Sequence, residues 1–218
     1  MKAARPRVLI LDMDGCLVDS REGILESFRF AARQTMPGLD VDRANVRVGP
    51  PIRKMYQRAF PQLTDAGIEK LALAFRAHYD AVGLLKTTLF PGARELLAKC
   101  AEAAIDVHLA TNKPSRAAQT ILERLEVQSY FKSIVAVDSR QPPYSGKMEL
   151  LAHLCELNRV HCPSALYVGD TEEDLLAANA CGMPFVFASY GYGGNVEHPS
   201  VIASLSELLP LFEPEAGR

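Results

Sequence analysis

Short apolar runs recur along the chain, separated by longer segments in which apolar residues return with a helical period. The runs are Val8–Leu11, Val107–Ala110, Ile134–Val137, Ala165–Val168 and Phe185–Ala188. Continuous apolar runs of this length are typical of strands that are buried on both faces, and their alternation with helices is typical of a parallel sheet. The pattern therefore predicts an α/β fold with a doubly wound, Rossmann-like parallel sheet.

Helices are predicted between these strands where the apolar positions recur every three to four residues. The predicted ranges are 114–126, 147–157 and 171–181. The last range ends at Gly182, shortly before Pro184, and this combination is a common signal for the end of a helix. Strands and helices thus alternate through the second half of the chain as one α/β domain.

The interval between the first two strands departs from this alternation, because it contains amphipathic helical patterns and no convincing strand. One predicted helix runs from about Ser20 to Met36 and stops at Pro37-Gly38, and another runs from about Asp65 to Val82. Phe90-Pro91-Gly92 marks the return to the core. We therefore expect a catalytic core formed by residues 1–17 and 90–218, with a small α-helical domain inserted at residues 18–89.

Composition narrows the class of protein. Apolar residues make up 48% of the 218 residues, charged residues make up 23%, and the formal net charge is −2. Such a balance is typical of an ordinary globular protein and offers no basic surplus for nucleic acid, and no apolar stretch is long enough to cross a membrane. The five cysteines are odd in number and far apart, which favours a reduced, cytoplasmic setting. Monomer and dimer both remain open.

Polar residues that could take part in catalysis or ligand binding follow the apolar runs directly. In an open parallel sheet, ligands bind beyond the carboxyl ends of the strands, so these residues are expected to converge at one edge. They are Asp12 and Asp14 after the first run, Thr111 and Asn112 after the second, Lys147 at the start of the helix after the third, and Asp170 and Asp174 after the fourth. Carboxylates, a hydroxyl and an ammonium are thus expected to meet at one edge of the sheet.

The first of these motifs reads Asp12-Met-Asp-Gly-Cys-Leu-Val-Asp-Ser20 and resembles the D-x-D-G-x-L-x-D-S motif of the haloacid dehalogenase superfamily. Thr111, Lys147 and Gly169-Asp170-x-x-x-Asp174 follow in the order of that family's remaining motifs. The resemblance covers nearly the whole chain, and the insert after the first motif is similar to the family's helical cap of the first type. Thr111-Asn-Lys-Pro114 and Tyr190-Gly-Tyr-Gly193 are similar to the phosphoglycolate phosphatase and pyrophosphatase-like branch.

The resemblance implies a division of roles among these residues. Asp12 would attack phosphorus and form an aspartyl phosphate, while Asp14 would protonate the leaving group and then take a proton from the attacking water. Mg²⁺ would be held by Asp12, Asp170 and the backbone carbonyl of Asp14, and Asp174 would contact either the metal or Lys147. The cation offsets the repulsion between nucleophile and phosphate, which is about 4 kcal/mol at 4 Å with an effective dielectric of 20.

Thr111, Asn112 and Lys147 are expected to bind the phosphoryl group of the substrate. Lys147 is favoured because the other lysines in this part of the chain lie within the Thr-Asn-Lys-Pro motif, Lys113, or before the third strand, Lys132. Thr111 and Asn112 are also residue types that cap helices, and they could cap the helix near Pro114 as well. In the insert, Arg53 follows a loop similar to the family's specificity loop and is expected to grip a substrate carboxylate or a second phosphate.

Together these features predict a magnesium-dependent phosphomonoester hydrolase acting on a small phosphorylated metabolite, with phosphoglycolate as the leading candidate. Pyrophosphatase, nucleotidase and phosphomutase activities of the same superfamily remain open as alternatives. A noncatalytic binding protein on the same fold is the alternative from another class, since a fold alone does not guarantee an activity. The intact carboxylates Asp12, Asp14 and Asp170 argue against it.

Overall fold

The apolar run at Val8 becomes an inner strand of a six-stranded sheet in a computed structural model, which describes residues 5–42, 44, 46–194 and 196–213. The strands of the chain are β1 Val8–Leu11, β2 Val18–Asp19, β3 Thr88–Leu89, β4 Asp106–Thr111, β5 Ser133–Ala136, β6 Ala165–Gly169, β7 Phe185–Ala188 and β8 Val201–Ile202. The main sheet has the order β5-β4-β1-β6-β7-β8, and its strands pair in parallel. β2 and β3 form a separate two-stranded sheet.

Helices connect the strands of the main sheet. The α-helices are α1 Arg21–Thr35, α2 Ile52–Ala59, α3 Asp65–Ala81, α4 Ala93–Glu102, α5 Ser115–Arg124, α6 Lys147–Leu157 and α7 Glu172–Ala180. Within the described ranges, 3-10 helices span Gly83–Lys86, Gln128–Tyr130, Cys162–Ser164 and Leu205–Phe212. The predicted α/β fold with a doubly wound parallel sheet is confirmed. α2, α4, β2, β3 and β8 were not among the predicted elements. The prediction of no strand in the interval between the first two predicted strands is wrong, because β2 and β3 lie at its two ends.

The register of the sheet explains how the site is assembled. Leu11, the last residue of β1, pairs with Leu109 on one side and with Val168 on the other, so β4 extends two residues and β6 one residue beyond the end of β1. The N–H of Asp12 still donates to the carbonyl of Val168 at 2.9 Å, which continues the ladder by one residue. β1 is also where the strand order reverses, since the chain places β4 and β5 on one side and β6 to β8 on the other. Ligand sites of open α/β sheets lie at such switch points.

The chain divides into two compact units, one formed by the described residues up to Asp19 and from Leu89 onward, the other by Ser20–Thr88. In the first unit, the middle of β1 is fully buried between the helices, and the inner face of α6 contributes Leu150, Leu151 and Leu154 to the same core. Burying such side chains contributes about 1.5 to 3 kcal/mol each.

The second unit is helical, and its core is held by aromatic packing between α1 and α2. The rings of Phe28 and Tyr56 are stacked with centroids 4.2 Å apart, and the Tyr56 hydroxyl donates to the carbonyl of Phe28 at 3.1 Å. The Tyr56 hydroxyl is therefore satisfied within the core, which avoids the cost of burying a bare polar group. No helix in the described ranges is long and apolar enough to span a membrane.

Candidate active site

The site is built around Asp12, which follows β1 directly and is only 6% exposed. Its Oδ1 forms an ion pair with the ammonium of Lys147, the first residue of α6, and that ammonium also donates to the carbonyl of Ala110 at 3.0 Å. Lys147 is 3% exposed. Burial alone would lower the pKa of Lys147, but the charges of Asp12 and Asp174 outweigh it and raise that pKa above its usual value. Lys147 is therefore a permanent cation beside Asp12.

Asp174, on α7, holds Lys147 from the other side. Its Oδ1 lies 3.2 Å from the Lys147 ammonium and accepts a hydrogen bond from the Tyr167 hydroxyl at 2.5 Å. Its Oδ2 accepts from the backbone N–H of Thr171 at 3.1 Å and from the Thr171 hydroxyl at 2.6 Å. Thr171 and Asp174 together form a capping box at the start of α7. Both oxygens of Asp174 thus accept hydrogen bonds, and Oδ1 also contacts the ammonium of Lys147.

Asp170 follows β6 and is fully buried. Its Oδ2 accepts a hydrogen bond from the backbone N–H of Tyr192 at 2.6 Å, whereas its Oδ1 has no hydrogen-bond partner among the described residues. Burial and the nearby charge of Asp174 raise the pKa of Asp170 to about 7, although hydrogen bonds from the backbone oppose the shift. A buried carboxylate oxygen without a donor is unfavourable unless a cation binds there.

The backbone approaches Asp170 closely from two sides. A Cβ added at Gly15, whose φ is +91°, would lie 2.2 Å from Asp170 Oδ2, and one added at Gly191 would lie 2.3 Å from the carbonyl oxygen of Gly15. Any larger residue at either position would displace Asp170 or the loop itself. The loop that contains Gly191 is tied down further, since the Tyr190 hydroxyl donates to the carbonyl of Cys16 at 2.9 Å.

A group of three carboxylates marks the candidate metal site. Oxygens of Asp12, Asp170 and Asp174 lie within 4.8 Å of one another, and Lys147 is the ammonium paired with two of them. Burial raises the pKa of Asp12 well above its usual value, and Lys147 offsets this only in part. Three carboxylates against one ammonium leave an excess of negative charge that one divalent cation would neutralise. The oxygen-only donors and the bare Oδ1 of Asp170 fit Mg²⁺.

Asp14 does not join this carboxylate group. Both of its oxygens lie 2.9 Å from the ammonium of Lys113, whose side chain is 6% exposed, while the Asp14 side chain is 23% exposed. Sequence reasoning treated Lys113 only as a lysine of the Thr-Asn-Lys-Pro motif and assigned it no contact. The pair links the loop after β1 to the loop after β4, and nothing in the spacing of the two residues indicates it.

Thr111 and Asn112 lie at the end of β4, as the sequence predicted, but neither caps the next helix. The Thr111 hydroxyl oxygen accepts from the backbone N–H of Lys113 at 3.0 Å, and Pro114 is the N-cap of α5 without a side-chain hydrogen bond. The cap is supplied from the turn after β5 instead, where Asp138 Oδ1 accepts from the N–H of Ser115 at 2.7 Å and from its hydroxyl at 2.6 Å. The capping hypothesis for Thr111 and Asn112 is therefore wrong.

Glu173 is a further residue of the site that sequence reasoning did not single out. One of its oxygens accepts from the Asn112 side-chain amide at 3.3 Å, and the other accepts from the backbone N–H of Lys147 at 3.2 Å. It therefore joins the first turn of α7 to the loop after β4 and to the start of α6. The sequence signal that could have indicated Glu173 is its place in the Gly169-Asp-Thr-Glu-Glu-Asp174 segment, between two predicted site residues.

Arg53 lies on α2 in the second unit. Its guanidinium forms an ion pair with Glu69 of α3, and both side chains are exposed. Exposed pairs of this kind contribute little to stability, so the pair does not commit Arg53 to a structural role. Its predicted contact with substrate stays a prediction.

Comparison with known proteins agrees with this geometry. The family model described as haloacid dehalogenase-like hydrolase matches residues 9–188, which include every polar motif at the carboxyl edge of the sheet. The chain belongs to the haloacid dehalogenase-like hydrolase family. The family resemblance seen in the sequence is thereby confirmed.

Three relatives illustrate the range of this haloacid dehalogenase-like group. The tyrosine-protein kinase PtkA of Mycobacterium tuberculosis is 32% identical over 86% of the chain, which spans 64% of the length of that protein. The solved structure of PtkA has a TM-score of 0.81 with 29% identity and covers 96% of the chain and 99% of its own. A phosphoglycolate phosphatase of Xanthomonas campestris is 31% identical, covering 86% of this chain and 85% of its own. A 5'-nucleotidase of Pseudomonas aeruginosa is 28% identical, with 87% and 85% covered.

Proposed function

We propose that the chain is a magnesium-dependent phosphomonoester hydrolase that acts through an aspartyl phosphate on Asp12, with phosphoglycolate as the leading substrate. The observation that carries the proposal is the buried Asp12 carboxylate between the ammonium of Lys147 and the bare oxygen of Asp170. A nucleophile of this kind divides hydrolysis into two displacements, transfer of the phosphoryl group to the carboxylate and attack of water on the aspartyl phosphate. Similarity to the Xanthomonas campestris phosphoglycolate phosphatase supports the choice of substrate.

Each residue of the edge has a role in this proposal. Asp12 and Asp170, with the backbone carbonyl of Asp14, would hold Mg²⁺, and the cation would supply positive charge against the oxygens of the transferring phosphoryl group. Lys147 keeps a second positive charge at the same place, and Asp174 fixes the position of its ammonium. The Thr111 hydroxyl, already oriented by its bond to the Lys113 N–H, has its proton available for a phosphoryl oxygen.

Asp14 serves as the general acid and base because it is the carboxylate of this edge that stays partly exposed while lying two residues from the nucleophile. It donates a proton to the departing alkoxide in the first displacement and accepts one from water in the second. The proposed partner is a small phosphorylated metabolite.

The proposal is tested by following phosphate release from p-nitrophenyl phosphate with and without Mg²⁺. We expect Asp12→Asn to reduce kcat by at least about a thousandfold, because an amide cannot form the acyl phosphate. Asp138→Asn, a similar change outside the carboxylate group, serves as the matched control. Full activity of Asp12→Asn, or full activity of the wild type in chelator, would contradict the nucleophile and metal assignments. Turnover of phosphoglycolate, pyrophosphate, sugar phosphates and nucleotides then separates the alternative substrates.

A further inference from the structure

Lys113 is the cation nearest to the proposed acid and base, and its backbone is fixed. Its ammonium lies 2.9 Å from both oxygens of Asp14, and its own N–H donates to the Thr111 hydroxyl oxygen at 3.0 Å. The side chain is almost fully covered, so the ammonium has little water to replace a lost partner. Lys113 is therefore held in the site at a position set by β4.

The pair has a consequence for catalysis by Asp14. Both oxygens of Asp14 accept from the ammonium, yet one of them has to reach the leaving group at about 2.6 to 3.2 Å to transfer a proton. When that oxygen carries the proton it is a weaker acceptor, so its contact with the Lys113 ammonium weakens. A substrate that brings its own anion would give the ammonium a further acceptor in place of the weakened contact.

The distances limit where such an anion must sit. An ammonium 2.9 Å from an Asp14 oxygen is within roughly 6 Å of a leaving-group oxygen that touches the same carboxylate. A carboxylate on the carbon next to the ester oxygen lies about 3 Å from that oxygen, from ordinary bond lengths of about 1.2 to 1.5 Å. Such a carboxylate can therefore reach Lys113 while the ester oxygen contacts Asp14. A neutral alcohol as leaving group offers Lys113 no charge.

We propose that Lys113 determines substrate specificity by binding an anionic group adjacent to the transferred phosphoryl group, as in the phosphate esters of 2-hydroxy acids. The inference rests on the proposed function and deepens it, because it assigns the substrate class to a residue of the catalytic edge. Pyrophosphate carries the same chemistry, since its leaving group is itself an anion. Phosphate esters of neutral alcohols have no anionic group beside the transferred phosphoryl group.

The test compares phosphoglycolate with 2-hydroxyethyl phosphate, which has a neutral hydroxymethyl group in place of the carboxylate, and with pyrophosphate. For the wild type we expect kcat/KM to favour phosphoglycolate over 2-hydroxyethyl phosphate by about a hundredfold, the value of one charge-assisted contact in a covered site. Lys113→Met is expected to reduce this ratio to about one. The ratio cancels any common loss that follows from a misplaced Asp14. Pyrophosphate turnover faster than that of phosphoglycolate would overturn the hydroxy-acid assignment.

Two further variants keep the test decisive if Lys113→Met folds poorly. Lys113→Arg retains the positive charge and is expected to keep the ratio at ten or more. Lys132→Met removes a lysine that directly precedes β5 and pairs with Asp106 of β4. We expect this variant to keep the wild-type ratio. A wild-type ratio near one, or an equal loss for both esters in Lys113→Met, would overturn the specificity role. Failure of p-nitrophenyl phosphate hydrolysis by the wild type would instead refute the proposed function itself.

Discussion

The hydroxyl of Tyr167 is expected to matter for both stability and turnover, because it holds the carboxylate that positions Lys147. Tyr167 lies on β6, is fully buried, and donates to Asp174 Oδ1 at 2.5 Å. Tyr167→Phe removes one of the donors to Asp174 and leaves no space for water in its place. Hydrogen bonds to charged groups contribute about 1.5 to 3 kcal/mol, so we expect the free energy of unfolding to fall by that amount.

The same change should affect the chemical step. With one donor lost, Asp174 attracts the Lys147 ammonium more strongly, and that ammonium is shared with Asp12. We expect kcat for p-nitrophenyl phosphate to fall by about tenfold, which corresponds to about 1.4 kcal/mol, with KM changed by less than about twofold. A lower kcat at constant KM distinguishes a misplaced Lys147 from a general loss of folded enzyme, once the rates are corrected for folded protein.

Urea denaturation and steady-state kinetics measure the two effects. Tyr144→Phe is the matched control, since Tyr144 lies in the same buried core cluster but packs its ring against Arg140. The reasoning is refuted if Tyr167→Phe costs less than about 0.5 kcal/mol, or no more than Tyr144→Phe does. It is also refuted if kcat stays at the wild-type value.

Two other predictions concern the scaffold. Asp138→Ala should destabilise the protein by about 1 kcal/mol, because it removes the acceptor for the N–H and hydroxyl of Ser115 at the start of α5. Urea denaturation would show this against Gln119→Ala, a change at an exposed position of the same helix, and an equal effect of both would contradict it. Burial lowers the pKa of His108 below 6.5, so the folded state binds fewer protons there than the unfolded state, and stability should decrease as the pH falls below about 6.5. His108→Gln should flatten this dependence between pH 8 and pH 5, whereas an unchanged slope would exclude His108 as its source.

The convergence of the catalytic residues could be predicted from the sequence because it depends on local pattern alone. Apolar runs of four residues predicted the strands, and the carboxyl ends of parallel strands share one edge. Asp12, Thr111 and Asp170 each follow such a run, so their proximity required no knowledge of long-range contacts. The start of α6 at Lys147 followed in the same way from helical periodicity.

Other elements gave no usable pattern. β8 has two residues, too few for any alternation, and it forms a strand because β7 offers it an edge. α2 follows Pro50 and Pro51, which indicate a loop, and its eight residues pack Tyr56 against Phe28 of α1. Local propensity is a weak guide for such short segments, and tertiary packing decides them.

By itself, the sequence determined which carboxylates, which hydroxyl and which ammonium meet at the carboxyl edge of the sheet. Only the tertiary structure decided how they pair. Lys113 and Asp14 are 99 positions apart, and the N–H of Tyr192 reaches Asp170 through a loop without periodicity. Because the ends of such contacts are set by the packing of separate loops, no spacing in the chain encodes them. The proposed nucleophile could thus be predicted from the sequence, while the cation that contacts the proposed acid and base is shown only by the fold.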